Sequence, residues 1–398
     1  MGKARNESID VLRGVAILGT FASNIWIFTT RHNLPAARSI GERSGLDPTH
    51  FSPRSHWGSL DGAIALAVEC ICNGKFLALL SLLFGVGMCA QYESALRHGV
   101  RWPWRYYWRT ALLLVDGVLH HIFVVEFDIL MGYAVTAFLV APLLRLKGWA
   151  LGVATGVCAA VHLSMEGLRG SEAVRTRGES MLRDDAALEL LSATSSTYWS
   201  QVQARFEHFW TYRTEALVIA PPLSATLFLL GATLWRAGFF ESSERSTRLR
   251  RRLAIVGFVV GLPLTVLPTL ELLPLSVNIA LASLSRYTIA PVLALGYLSV
   301  GLMVLERATI PRIRASLSRL GRASLSVYML QNIVCSALFY RWGLGLAPLD
   351  ALATMVAWLT ISAALIVLTW MWFLRFDQGP FEALWRRLSD APFAKRPR

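Results

Sequence analysis

Apolar residues in this chain do not alternate with polar ones; they come in long uninterrupted runs. A helix of about 20 apolar residues crosses roughly 30 Å of hydrocarbon with every backbone group bonded internally. Ten runs near that length follow one another: Val11–Phe28, Lys75–Tyr92, Thr110–Val125, Asp128–Leu144, Trp149–Leu163, Ala216–Arg236, Ala254–Leu270, Val277–Leu305, Leu325–Phe339 and Ala351–Leu374. A half-apolar stretch, Leu60–Cys72, carries Asp61 and Glu69 and stops at Asn73-Gly74, which predicts an interfacial or re-entrant helix rather than a span. The pattern therefore predicts an all-α, polytopic transmembrane bundle of ten spans plus that extra helix. It is read as a single domain over 1–398, with five helices in 1–166, a polar extracytoplasmic loop in 167–213, and five helices with a basic tail in 214–398.

Composition agrees: 54% of residues are hydrophobic and only 16% charged, against about 25% charged in soluble domains. The net charge of +13 does not predict a nucleic-acid partner, because most Lys and Arg sit in short loops on one side of the predicted spans. That bias places both termini in the cytoplasm. The first run has charged flanks and no small-residue cleavage site, so it reads as a retained helix rather than a signal peptide. All five cysteines lie in apolar context and read as packing residues, Cys70 and Cys72 included. His32, His50 and His56, in the loop after the first run, match no strong metal signature, and no metal is expected.

Candidate chemistry converges on residues 117–133, GVLHHIFVVEFDILMGY, which with Asp116 put two histidines and three acids where ionisable groups are costly. Arg109, Asp116 and His120 share a helical face, and Asp116 stands four residues before His120, a spacing that allows a hydrogen bond fixing the imidazole tautomer. Asp128 opens the next helix. Its plain role is capping, but a hairpin turn could also carry it back over His120. Asn24 is an amide inside the first run, able either to polarise a carbonyl or to pin two helices. Lys75, at a helix end, reads first as a snorkelling lysine. Tyr198, Trp199, Phe206, Phe209, Trp210 and Tyr212 fit either a lid over an acceptor or a helix lying on the membrane. Phosphate-loop, HExxH, GxSxG and dinucleotide signatures are missing, which leaves acid/base chemistry or transport.

Six ordered blocks carry a resemblance. Ile9-Asp10-Val11-Leu12-Arg13-Gly14 with Asn24, then Gly74-Lys75-Phe76 with Ser81 to Gly87, then Gly117, His120, Asp128-Ile129-Leu130 and Tyr133-Ala134 come first. Gly231 with Arg236 to Phe240, Gly321 to Tyr328 with Gln331, and Gly379-Pro380 with Glu382 and Leu384 to Arg386 follow. This order resembles the YeiB-like bacterial membrane family, which looks related to heparan-α-glucosaminide N-acetyltransferase and other transmembrane acyltransferases. The resemblance implies a multi-pass protein of the bacterial inner membrane. Its implied reaction passes an acyl group, with acetyl the expected one, from cytosolic acyl-CoA to a hydroxyl or amine on a sugar, glycan or envelope metabolite.

In this reading His120 is the general base, Asp128 or Asp116 orients it, and Asn24 donates to the oxyanion. Arg13, Arg109, Lys75, Tyr133, Arg322 and Gln331 are the expected acyl-CoA-binding residues, with Arg97, Arg101 and Arg105 adding charge at the vestibule. The expected partners are the lipid bilayer and a small-molecule or glycan acceptor, with a homodimer left open. The alternative is a proton-coupled transporter or exporter using Asp116, His120 and Asp128 as a relay.

Overall fold

The computed structural model describes residues 7–29, 59–175, 197–270, 272–307 and 310–393. Among these residues every regular element is helical. In chain order they are α1 (Glu7–Thr29), α2 (Leu60–Ile71), α3 (Lys75–Arg97), α4 (Trp104–Phe123), α5 (Leu130–Leu143), α6 (Trp149–Arg175), α7 (Tyr198–Glu207), α8 (Phe209–Thr214) and α9 (Pro221–Arg236). The second half continues with α10 (Glu244–Leu270, its middle wound as a π turn), α11 (Leu275–Leu284), α12 (Ala290–Arg307), α13 (Pro311–Arg322), α14 (Ser324–Phe339), α15 (Ala351–Trp372) and α16 (Pro380–Asp390).

Seven helical stretches among the described residues are long and apolar enough to cross a bilayer. Of the ten expected spans, the other three are α4, interrupted by ionisable residues, and the shorter apolar α5 and α14. Bilayer-spanning helices bond their own backbones, so what distinguishes these elements is how they pack sideways.

Glycines set the tightest of those crossings. A Cβ on Gly321 would collide with the carbonyl of Asp10, and one on Gly14 with the carbonyl of Leu317, so α1 and α13 meet backbone to backbone. Gly85 faces the backbone of Phe228 and Gly231 the carbonyl of Leu82, which locks α3 to α9 in the same way. Gly87 lies against the Arg13 guanidinium, close to where α1 starts. α3 consequently runs back toward the end of the bundle where α1 begins, here called the proximal end.

The opposite, distal end is crossed by α2. Asp61 near its start accepts a hydrogen bond from the Leu352 backbone N–H at 3.2 Å, where α15 begins. Gly74, just beyond its end and at φ +74°, sits against the Arg286 carbonyl ahead of α12. At the proximal end, Glu382 of α16 accepts from the Leu325 and Ser326 N–H groups (2.7 and 3.2 Å) and from the Ser326 hydroxyl (2.5 Å). The first turn of α14 is thus capped by a carboxylate 56 residues later in the chain.

Several boundaries move. The helix expected to end at Leu163 continues to Arg175, and part of the expected polar loop, residues 198–214, is helical. The basic segment before Leu325 contains α13, and α10 starts ten residues before the expected Ala254 because Ser243 forms a capping box with Ser246. His32, His50 and His56, and the acidic middle of the 167–213 loop, lie outside the described residues.

Candidate functional site

His120 lies sixteen residues along α4, about 24 Å from its start at a rise of 1.5 Å per residue and near its distal end. Its ring is buried, and Nδ1 stands 2.8 Å from Oδ1 of Asp128. The carboxylate arrives by way of the short turn between α4 and α5. Gly117 makes the approach possible: a Cβ there would meet the Met131 N at 2.7 Å and Asp128 Oδ2 at 2.9 Å. The second oxygen of Asp128 accepts from the Met131 N–H at 3.0 Å, so one side chain both caps α5 and grips the imidazole.

The expected bond between Asp116 and His120 does not form. Asp128 already occupies Nδ1, and the Oδ2 of Asp116 has no hydrogen-bond partner among the described residues although it lies within electrostatic range of both. Four-residue spacing places the two side chains on one face; the turn decides which carboxylate closes on the ring.

Two residues from α14 complete the site. The Tyr328 hydroxyl lies 3.4 Å from Asp128 Oδ1 and accepts the Ile129 N–H at 3.3 Å, and its ring centroid is 5.3 Å from that of His120. Asn332 places its side-chain N–H donor 3.4 Å from His120 Nε2. In the tautomer whose Nδ1 proton is directed at Asp128, Nε2 is the acceptor nitrogen. The site therefore draws on both halves of the chain.

A second buried network holds the turn. Glu126 pairs with Arg205 at 3.3 Å and accepts from the Tyr340 hydroxyl at 3.3 Å. Arg213 donates to the carbonyls of Glu126 (2.8 Å) and Asp128 (2.7 Å), while Ser336 donates to Val124 at 3.0 Å. α7 and α8 thereby roof the distal end of α4. Their buried side presents Gln201, Arg205, Tyr212 and Arg213, whereas Trp199, Phe206 and Trp210 are exposed on the other. His121 is fully buried beneath that roof, beside Phe209 and Tyr212, with neither ring nitrogen bonded among the described residues.

The remaining expected residues are dispersed. Asn24 is half-buried on α1 and makes no hydrogen bond to His120, Asp128 or another described residue. Lys75 is wholly buried and donates to the Glu69 carbonyl at 2.7 Å; it does not snorkel, because α2 folds over it. Tyr133 is tied to Ser81 at 2.7 Å and to the Leu77 carbonyl at 3.3 Å, which makes it a knot between α3 and α5. Gln331 is buried, its Oε1 without a partner among the described residues.

The arginines are mostly committed to the protein itself. Arg13 approaches Asp10 at 3.8 Å and the Leu83 carbonyl at 3.4 Å. Arg109 bonds Gln91 at 2.9 Å and lies over Trp385, Arg105 pairs with Asp390 at 2.6 Å, and Arg322 bonds the Asp377 carbonyl at 2.5 Å over the Phe373 ring. Arg97 and Arg101 are exposed.

Sequence reasoning missed Asn332, Arg205 and Arg213. Tyr328 and Gln331 stood inside a recognised block, so the signal for Asn332 was one residue away. No group of three or more His, Cys, Asp or Glu among the described residues could hold a metal ion.

The chain as a whole is similar to known proteins. The family described as "Protein of unknown function (DUF418)" matches residues 234–392, which include Tyr328 and Asn332. The uncharacterized protein YxaH of Bacillus subtilis (strain 168) is 26% identical, over 98% of this chain and 96% of its own length. The uncharacterized protein YeiB of Escherichia coli (strain K12) is 27% identical, over 97% of this chain and 96% of its own. No solved structure matches.

Proposed function

We propose that this chain, a member of the YeiB-like family of membrane proteins, is an acyl-CoA-dependent acyltransferase with His120 as its general base. The observation that carries the reading is the 2.8 Å contact between His120 Nδ1 and Asp128 in a buried setting. A carboxylate on one ring nitrogen leaves the other with a lone pair able to take a proton, the arrangement used wherever histidine activates a hydroxyl or amine.

The step balances simply. The acceptor X–H gives its proton to Nε2 as X attacks the thioester carbonyl carbon; the C–S bond breaks, and the departing CoA sulfur takes the proton back from the imidazolium. Asp128 stabilises the imidazolium without itself being protonated. Burial excludes bulk water, which would otherwise hydrolyse the thioester. Asn24 is retained as an oxyanion donor.

The proximal end carries the exposed Arg97 and Arg101 and is taken as the cytoplasmic side of the bacterial inner membrane, where CoA phosphates would be met. The anchored arginines Arg13, Arg109 and Arg322 shape that entrance. Lys75 and Tyr133 act less directly on the proposed acyl path, through the helices they fix, and Gln331 is kept as a buried polar group beside it.

A proton relay for transport is the competing reading, favoured by the unpartnered oxygen of Asp116. The two separate in nanodiscs supplied with acetyl-labelled acetyl-CoA. Donor binding with thiol release or label transfer, lost in His120→Ala, supports the enzyme. Absence of CoA binding sinks it.

A further inference from the structure

The two nitrogens of His120 are held unequally. Nδ1 is gripped at 2.8 Å by a carboxylate, whereas Nε2 meets only the Asn332 amide at 3.4 Å, near the outer limit for a hydrogen bond. Both side chains are buried, His120 at 3% exposure and Asn332 at 3%, so bulk water does not serve the lone pair instead. An amide N–H is a neutral donor, as is the hydroxyl or amine a general base must deprotonate, but its nitrogen, with the lone pair delocalised into the carbonyl, is not a nucleophile and so holds the place without reacting. The amide also neighbours the Tyr328 hydroxyl, which gives it somewhere to turn.

We propose that Asn332 is a stand-in for the acceptor: in the resting protein its amide occupies the place on His120 Nε2 that the acceptor's X–H takes during reaction, and the acceptor displaces it. The last clause rests on the acyltransferase reading; the occupancy of Nε2 does not. Two consequences follow from the chemistry. Asn332 keeps water off the base while a thioester is bound, and the acceptor must arrive as a neutral hydroxyl or amine donor, since a carboxylate or other pure acceptor has nothing to offer Nε2. Asn332 is a guard and a selector rather than a proton carrier.

Two measurements on the full-length protein in nanodiscs test this separately. Diethyl pyrocarbonate attacks the unprotonated nitrogen of imidazole, and peptide mass mapping follows His120 with surface His98 as internal reference. Asn332→Ala is expected to raise the His120 modification rate about two- to fivefold, the factor implied by losing one hydrogen bond at the weak end of the usual range. An unchanged rate in a variant that retains its wild-type elution profile overturns the occupancy. The second measurement is thiol release from acetyl-CoA with no acceptor added, in which water is the only nucleophile. Release is expected to rise in Asn332→Ala and to fall to background in Asn332→Ala/His120→Ala. Faster modification without faster release, in protein that binds CoA, overturns the guarding role. If no variant binds CoA, the acyltransferase reading fails while the modification result still decides whether Asn332 covers Nε2.

Discussion

His120 and Asp128 are eight residues apart in sequence and 2.8 Å apart in space, joined through the turn that separates α4 from α5. A contact of this length between two buried side chains fixes both the tautomer and the direction of the ring. Asp128→Asn should preserve the cap on α5 while presenting the wrong partner to Nδ1. Thiol release is expected to fall by a factor on the order of 10³–10⁴, as in catalytic triads that lose their acid. Asp116→Asn, by contrast, should change turnover by no more than about tenfold, the effect of a 1.4 kcal/mol electrostatic change. Equal losses in the two variants would argue for a relay.

The Glu126–Arg205 pair is buried on both sides. Removing one charge leaves the other buried without its ion pair, which typically costs about 3–5 kcal/mol. Glu126→Gln and Arg205→Met should each lower the thermal midpoint in detergent. The double variant is expected to recover much of the loss, which an additive result would contradict.

Gly321→Ala drives a methyl group into the Asp10 carbonyl at the crossing of α1 and α13. Overpacking of this kind costs about 1–3 kcal/mol or more. Gly152→Ala is the matched control: nothing lies within 4 Å of that position on α6, and adding a methyl in a helix interior gains roughly 0.5–1 kcal/mol. Thermal unfolding should therefore move in opposite directions for the two.

Glu382→Ala removes the carboxylate that caps α14. A lost cap of this type costs about 1–2 kcal/mol. Because Tyr328 and Asn332 sit on that helix, turnover should fall along with stability, although Glu382 touches neither His120 nor any reacting group. Loss of stability with full activity would show that the first turn of α14 frays without disturbing the site.

The all-helical architecture was legible because a bilayer admits few alternatives, and runs such as Ala351–Leu374 can be little else. His120 was legible for a related reason, since an ionisable ring in an apolar run needs an explanation. Its partner was harder. Helical periodicity offered Asp116 and the hairpin offered Asp128, and the choice between them depended on Gly117 letting α5 close in. What Asn332 and Arg213 touch was out of reach, because nothing local to a sequence reports which distant helix will lie against which. Lys75 shows the same limit from the other side: its position at a helix end predicted exposure, and only the path of α2 over it explains its burial.

The cap by Glu382 also orders events in time. His120 and Asp128 are synthesised before the helix that covers the imidazole. Tyr328 and Asn332 come some 200 residues later, and the carboxylate that secures their helix later still. Through most of synthesis the imidazole sits in a half-built bundle with one nitrogen uncovered. A chain released before Glu382 would lack a firmly seated α14, so the site becomes complete only after that carboxylate has been made.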